Sequence, residues 1–328
     1  MNDYPYYIDI HIHCGGPGRG KGSDPAHSYW SRKFTLRPTF WVMRVITGNL
    51  LGNLTEESVF RHISGVIKSA EYLKKAVLLA MDEVYIKGEP TPAKNLTHLY
   101  VSNEYVHSKT NDEKILFGAS VHPYSPNALQ RLGKCISQGA VLCKWIPSSM
   151  GINPADPLCE AFYEKLAYHN LPLLCHAGPE DTIPPSHKDF IKYDNPKYLR
   201  RALEIGVTVI AAHCALPYLV PVKNYFTDLL RLFEIEKKLP GRIYADISAF
   251  CSPTRLFYIK DLLQHIPPSR LLYGSDYPIP ILSLSRLRKH SGEKMNPLDR
   301  NYLVTRDMGF SQEVFASNFE RLIEKITR

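Results

Sequence analysis

A chain of 328 residues with 44% hydrophobic side chains is long enough for one large α/β domain or two ordinary ones, and its net charge of +8 raises the question of an anionic partner. The basic residues are mostly scattered, and the densest cluster, RLRKH at 286–290, reads as a solvated segment, so nucleic acid is not the expected partner. No run of about 18 uncharged apolar residues occurs, no basic segment precedes an apolar one at the N-terminus, and the seven cysteines hold no CxxC pair; a soluble, cytoplasmic protein with reduced thiols is expected.

Along the chain, short β-rich runs alternate with amphipathic ones. YIDIHI (7–12) comes first, followed by a long excursion, 14–54, rich in Gly, Pro, Arg and aromatic residues. TEESVFRHISGVIKSAEYLKK (55–75) has helical spacing with Thr55 as its N-cap. The runs AVLLAM (76–81), ILFGASV (115–121) and AVLCKWI (140–146) follow, then a helix-like PLCEAFYEKLAYHN (157–170) and LPLLCHA (171–177). PKYLRRALEIG (196–206), closed by Gly206, leads to VTVIAAH (207–213), RIYADIS (242–248) and RLLYGSD (270–276). Eight strands alternating with helices predict right-handed βαβ units and a (β/α)8 TIM barrel in a single domain, 1–328. A doubly wound open sheet is the alternative, but GGPGRGKG (15–22) lacks the GxGxxG spacing and no helix pattern starts there. The excursions 14–54 and 277–310 leave the C-terminal rim of such a barrel, where a lid or a substrate-selecting wall is expected.

The unusual polar residues fall on that same rim. His11 and His13 end the first run, Lys144 lies near the end of the fourth, and His176, His213 and Asp276 end the fifth, sixth and eighth. Residues i and i+2 on a strand face one side, so His11 and His13 can chelate one ion while Ile12 faces the outer helices. An HxH pair alone is weak evidence; its recurrence with histidine and aspartate at other strand ends argues for a divalent metal, zinc first, with an open coordination position. His122 ends the third run and is either a substrate contact or a satisfied core histidine. Asp246 and Ser248 are candidates to support the ligands, and Cys14, Cys175 and Cys214, each beside a proposed ligand, read as packing residues. Arg19 and Lys21 in the Gly-rich loop read first as solvated surface residues and second as candidates to bind an acidic group of a substrate.

YIDIHIH (7–13), LPLLCHAG (171–178), VIAAHCALP (209–217) and LLYGSDYP (271–278), in that order, resemble the metal-dependent amidohydrolase superfamily, in particular the amidohydrolase-2 branch typified by aminocarboxymuconate-semialdehyde decarboxylase; FASNFERLI (315–323) resembles its closing helix. The resemblance implies that His11, His13, His176 and Asp276 ligate the metal, that Asp276 also serves as base, and that His213 is catalytic or ligates a second ion. In binuclear members a carboxylated lysine bridges two metals, and Lys144 either plays that part, binds a substrate carboxylate, or reaches to solvent. One or two ions are therefore expected. Hydrolysis of an amide, ester or lactone of a small, carboxylate-bearing molecule is the first expectation, with His213 stabilising the developing oxyanion. Decarboxylation on the same constellation is the second. A metal-dependent deoxyribonuclease on a related barrel is a third, although such enzymes place a glutamate where Lys144 stands. A barrel without activity is disfavoured by the intact ligand set, and a homo-oligomer stays open.

Overall fold

Tyr7–His13 forms strand β1, buried along its length except at His13. The computed structural model describes residues 5–18, 22–46, 54–218, 224–279 and 295–327. Seven further strands, β3 (Leu73–Leu79), β5 (Ile115–Ala119), β6 (Leu142–Trp145), β7 (Leu173–Cys175), β8 (Thr208–Ala211), β9 (Arg242–Asp246) and β10 (Leu271–Leu272), pair in parallel in the order β1-β3-β5-β6-β7-β8-β9-β10. The last strand returns to the first: Ile10 N–H donates to Tyr273 O (3.1 Å), Asp276 N–H to His11 O (2.9 Å) and His13 N–H to Tyr277 O (2.9 Å). The sheet thus closes as the eight-stranded barrel read from the sequence, with β2 (Ser28–Trp30) and β4 (Leu99–Val101) forming a separate antiparallel ribbon.

Which face each rim residue shows is decided by the apolar residues before it. Ile8, Ile10, Val77, Leu79, Leu142, Leu174, Ile210 and Leu272 share one buried cluster, the barrel interior. Simple alternation from Leu142 and Leu174 carries Lys144 and His176 inward, whereas Asp276 lies past the end of β10 at φ 63°. On β1 the same rule would turn the histidines outward. The pairing of β1 with β3 instead slips between Asp9 and Ile12, so Ile8 and Ile10 face the interior while Ile12 joins the outer cluster. That bulge turns His11 and His13 inward. At the end of β8 the switch is made by the backbone, with His213, Cys214 and Ala215 at φ 58°, 51° and 56°.

The helices bury the outer layer. Glu56–Ser69 starts at Thr55, whose hydroxyl accepts from Ser58 N–H while Ser58 Oγ accepts from Thr55 N–H, and it buries Val59, Ile63 and Ile67. Arg200–Ile205 ends at Gly206, φ 109°. Cys14, Cys175 and Cys214 are buried in the outer cluster, as expected of packing residues. The described part of the excursion after β1 is docked on the barrel: a Cβ on Gly16 would lie 2.3 Å from the Glu56 backbone, and β2 pairs with β4, an element the sequence did not single out. Within 277–310, the helix Pro297–Arg306 belongs to the outer layer, where Tyr302 stacks on Tyr7 (4.6 Å between ring centres). Arg19, Lys21 and the 286–290 cluster lie outside the described residues.

Candidate metal centre

Asp246, at the end of β9, ties two rim histidines together. Its Oδ2 accepts from His11 Nδ1 (2.9 Å), while Oδ1 accepts from the backbone N–H groups of His213 (2.8 Å) and Ser248 (3.0 Å) and from the Ser248 hydroxyl at short range. Burial works against this carboxylate, but His11, Ser248 and His213 together hold its pKa well below the usual range. A proton on His11 Nδ1 leaves the Nε2 lone pair facing the barrel centre. Ser248 Oγ also lies 2.7 Å from His213 Nδ1. Since the Ser248 proton is committed to Asp246, His213 Nδ1 is the donor and its Nε2 is likewise an acceptor.

Asp276 brings the β1 pair to a point. Its Oδ1 stands 3.2 Å from His13 Nε2 and 3.5 Å from His11 Nε2, and these ligand atoms lie within 4.8 Å of one another. Burial opposes the Asp276 charge, yet His11, His13 and Arg255 keep its pKa below normal. Burial, with Lys144 nearby, lowers His11 to about 4, so this imidazole is neutral near pH 7 and able to ligate. Two imidazole nitrogens and a carboxylate oxygen, one of the imidazoles oriented by a buried carboxylate, fit a divalent ion such as zinc or manganese. His11, His213 and Asp246 form a second close group, but the hydrogen bonds above already engage both Asp246 oxygens.

The remaining candidates divide. Lys144 is fully buried, burial lowers its pKa, and its amine sits 3.1 Å from His11 Nε2. His176 lines the same cavity, and its ring lies 5.0 Å from that of His213, but its nitrogens meet Gly178 O (3.1 Å) and Glu180 Oε2 (3.4 Å) instead of joining the His11–His13–Asp276 group. His122 stands elsewhere: Nε2 bonds Met150 O (2.8 Å), Nδ1 accepts from Tyr124 N–H (3.2 Å), and the ring is not among those lining the cavity. Backbone partners on both nitrogens make it the satisfied core histidine of the two readings.

Among the residues that line the cavity, four with ionisable side chains were not picked out from the sequence: Glu180, Asp181, Tyr218 and Arg255. Glu180 and Tyr218 stand on connections after β7 and β8. Arg255, 2% exposed, donates to Ser248 O (3.0 Å) and Leu216 O (3.2 Å), and its Nε has no hydrogen-bond partner. The cavity thus carries two buried basic side chains, Lys144 and Arg255, together with the carboxyl groups of Glu180 and Asp181, beside the His/Asp group. Among the described residues, no helix is long and apolar enough to cross a membrane.

Comparison with known proteins follows the same lines. No curated protein sequence matches the chain. An uncharacterised TIM-barrel protein from Bordetella bronchiseptica superposes with a TM-score of 0.61 at 16% identity, covering 98% of this chain and 99% of that one. A probable 2-pyrone-4,6-dicarboxylic acid hydrolase from Acinetobacter baumannii, with citric acid bound, gives 0.58 at 15%, covering 97% and 99%. A dihydroxybenzoic acid decarboxylase from Polaromonas sp. JS666, with bound manganese and the inhibitor 2-nitroresorcinol, gives 0.54 at 12%, covering 98% and 97%. At such identities the superpositions speak for the fold. The family model described as amidohydrolase matches residues 101–316, more than half of the chain and the stretch that supplies Lys144, His176, His213, Asp246 and Asp276. The chain belongs to the amidohydrolase family.

Proposed function

We propose that the protein is a metal-dependent hydrolase of a small, carboxylate-bearing amide, ester or lactone, with His11, His13 and Asp276 holding one divalent ion. The observation that carries this is the convergence of those three donors in a cavity walled by Lys144 and Arg255. An ion held there would supply Lewis-acid polarisation of a carbonyl and a lowered pKa for water. Asp276, the carboxylate of that donor group, is held ionised and is its candidate base. His213, with Nε2 as a hydrogen-bond acceptor and burial holding its pKa well below the ordinary value, is not a donor to an oxyanion, which leaves Lys144 and Arg255 to orient the substrate carboxylate and offset developing negative charge. His176 acts here through Glu180 and Gly178, shaping the cavity wall.

Decarboxylation is the second reading, favoured by the fold neighbours that act on dihydroxybenzoic acids, compact acids suited to the same two cations. One experiment separates the two: purified protein is assayed for bound metal, then incubated with a lactone and ester panel and, in parallel, with hydroxybenzoic acids while carbon dioxide is measured. Ring opening or ester cleavage that needs the metal and disappears in Asp276→Asn supports hydrolysis. Carbon dioxide release with the same dependence makes it the decarboxylase, and a chain that neither holds zinc or manganese nor gains activity from them defeats both.

A further inference from the structure

A second cavity adjoins the first, and His13, Phe34, Leu99 and Pro278 line both. Its chemistry is different. Trp30, Phe34, Phe40, Leu54, Val59 and Ile63 make its wall almost wholly apolar, with Arg44 as its one guanidinium. The aromatic rings are held edge to face, Trp30 to Phe40 at 5.0 Å and Phe34 to Phe40 at 5.5 Å between centres, so the wall is a packed surface. All three rings come from the excursion after β1, and Val59 and Ile63 from the helix behind it. A polar reaction chamber abutting an apolar one across the side chain of a metal-ligand candidate is a shape for one molecule with two unlike ends.

We infer that this annex receives an apolar arm, alkyl or aryl, of the same substrate whose carboxylate end is held by Lys144 and Arg255. The inference rests on the proposed function only in taking the His/Asp cavity as the place of the reacting end. It names the substrate class: an amphipathic acid, larger than a bare dihydroxybenzoate or pyrone dicarboxylate.

The test is a binding series on the full chain by isothermal titration calorimetry, using straight-chain carboxylates from acetate to decanoate and phenylalkanoates of matching length, with metal-free protein and with manganese added. Each methylene that enters the annex should tighten binding about fourfold, until the cavity is full. Val59→Asp places a charge in the wall and should flatten the series while leaving acetate binding unchanged. Trp30→Ala, at a half-buried position that tolerates truncation better, should weaken octanoate about tenfold relative to acetate. A series with no length dependence in the unaltered protein overturns the inference, as does length dependence that survives intact in a folded Val59→Asp or Trp30→Ala. Length dependence in a protein that binds no manganese keeps the annex while counting against the metal; tight manganese binding with a flat series does the reverse.

Discussion

A single carboxylate, Asp246, accepts from His11, the His213 backbone and Ser248, and so fixes which nitrogen of each imidazole is left for chemistry. Asp246→Asn keeps the volume but removes the charge that holds the His11 proton on Nδ1. Manganese affinity should fall about 10- to 100-fold, read by calorimetric titration, with the far-ultraviolet dichroism spectrum unchanged; unaltered affinity would mean that His11 is not a ligand. Lys144 poses the opposite case, a buried amine that meets an imidazole nitrogen, His11 Nε2, rather than a carboxylate. Lys144→Met, similar in length and apolar, should raise stability by about 1–3 kcal/mol in urea titrations while abolishing binding of carboxylates, the balance expected where a destabilising group is retained for function. Lost stability together with retained acid binding would assign Lys144 a purely structural part. Lys144 could be singled out in the sequence because it interrupts an apolar run. Arg255 could not, since its segment CSPTRLF reads as an ordinary connection and only the tertiary fold turns it inward.

At the level of elements, the site depends on departures from regular geometry, among them the β1 bulge and the left-handed turn after β8. Neither leaves a mark in the sequence, because an alternation such as YIDIHIH looks the same whether or not its register slips. All eight barrel strands were legible from apolar runs bounded by turn residues, and Thr55 and Gly206 were legible as caps because their chemistry is local. The β2–β4 ribbon was not, as its three-residue strands pair across about seventy positions and have no period of their own. Where β10 meets β1, close approach is required: a Cβ on Gly274 would lie 2.6 Å from His11 Cβ and 3.2 Å from Ser248 Cβ. Gly274→Ala should therefore cost about 1–3 kcal/mol in urea unfolding through overpacking and weaken manganese binding by moving His11. Full stability with unchanged affinity would show that the barrel seam can yield at that point.

The whole barrel concentrates neutral imidazoles in its interior and beneath its rim, and this ties its stability to pH. Burial lowers His122 and His11 to about 4 and His176 to about 3. In the unfolded chain each takes up a proton near the ordinary value of about 6.5, whereas the native state refuses it until the pH is far lower. Protons therefore favour unfolding across that window: stability is fully present above about pH 7 and is lost as the pH falls from about 6.5 toward 4. His122 isolates the effect because it lies away from the proposed ligands, and its contribution over that window is on the order of 3 kcal/mol. In His122→Asn the shorter amide can still accept from Tyr124 N–H but no longer reaches Met150 O, so the fold should be retained at lower stability. Urea unfolding between pH 8 and 4 in the presence of a chelator should then show a shallower loss of stability for the variant, with the two curves converging at the acid end. Parallel curves would mean that His122 titrates in the native state as it does in the unfolded chain, and that the acid sensitivity of the barrel is set entirely by the cluster at its mouth.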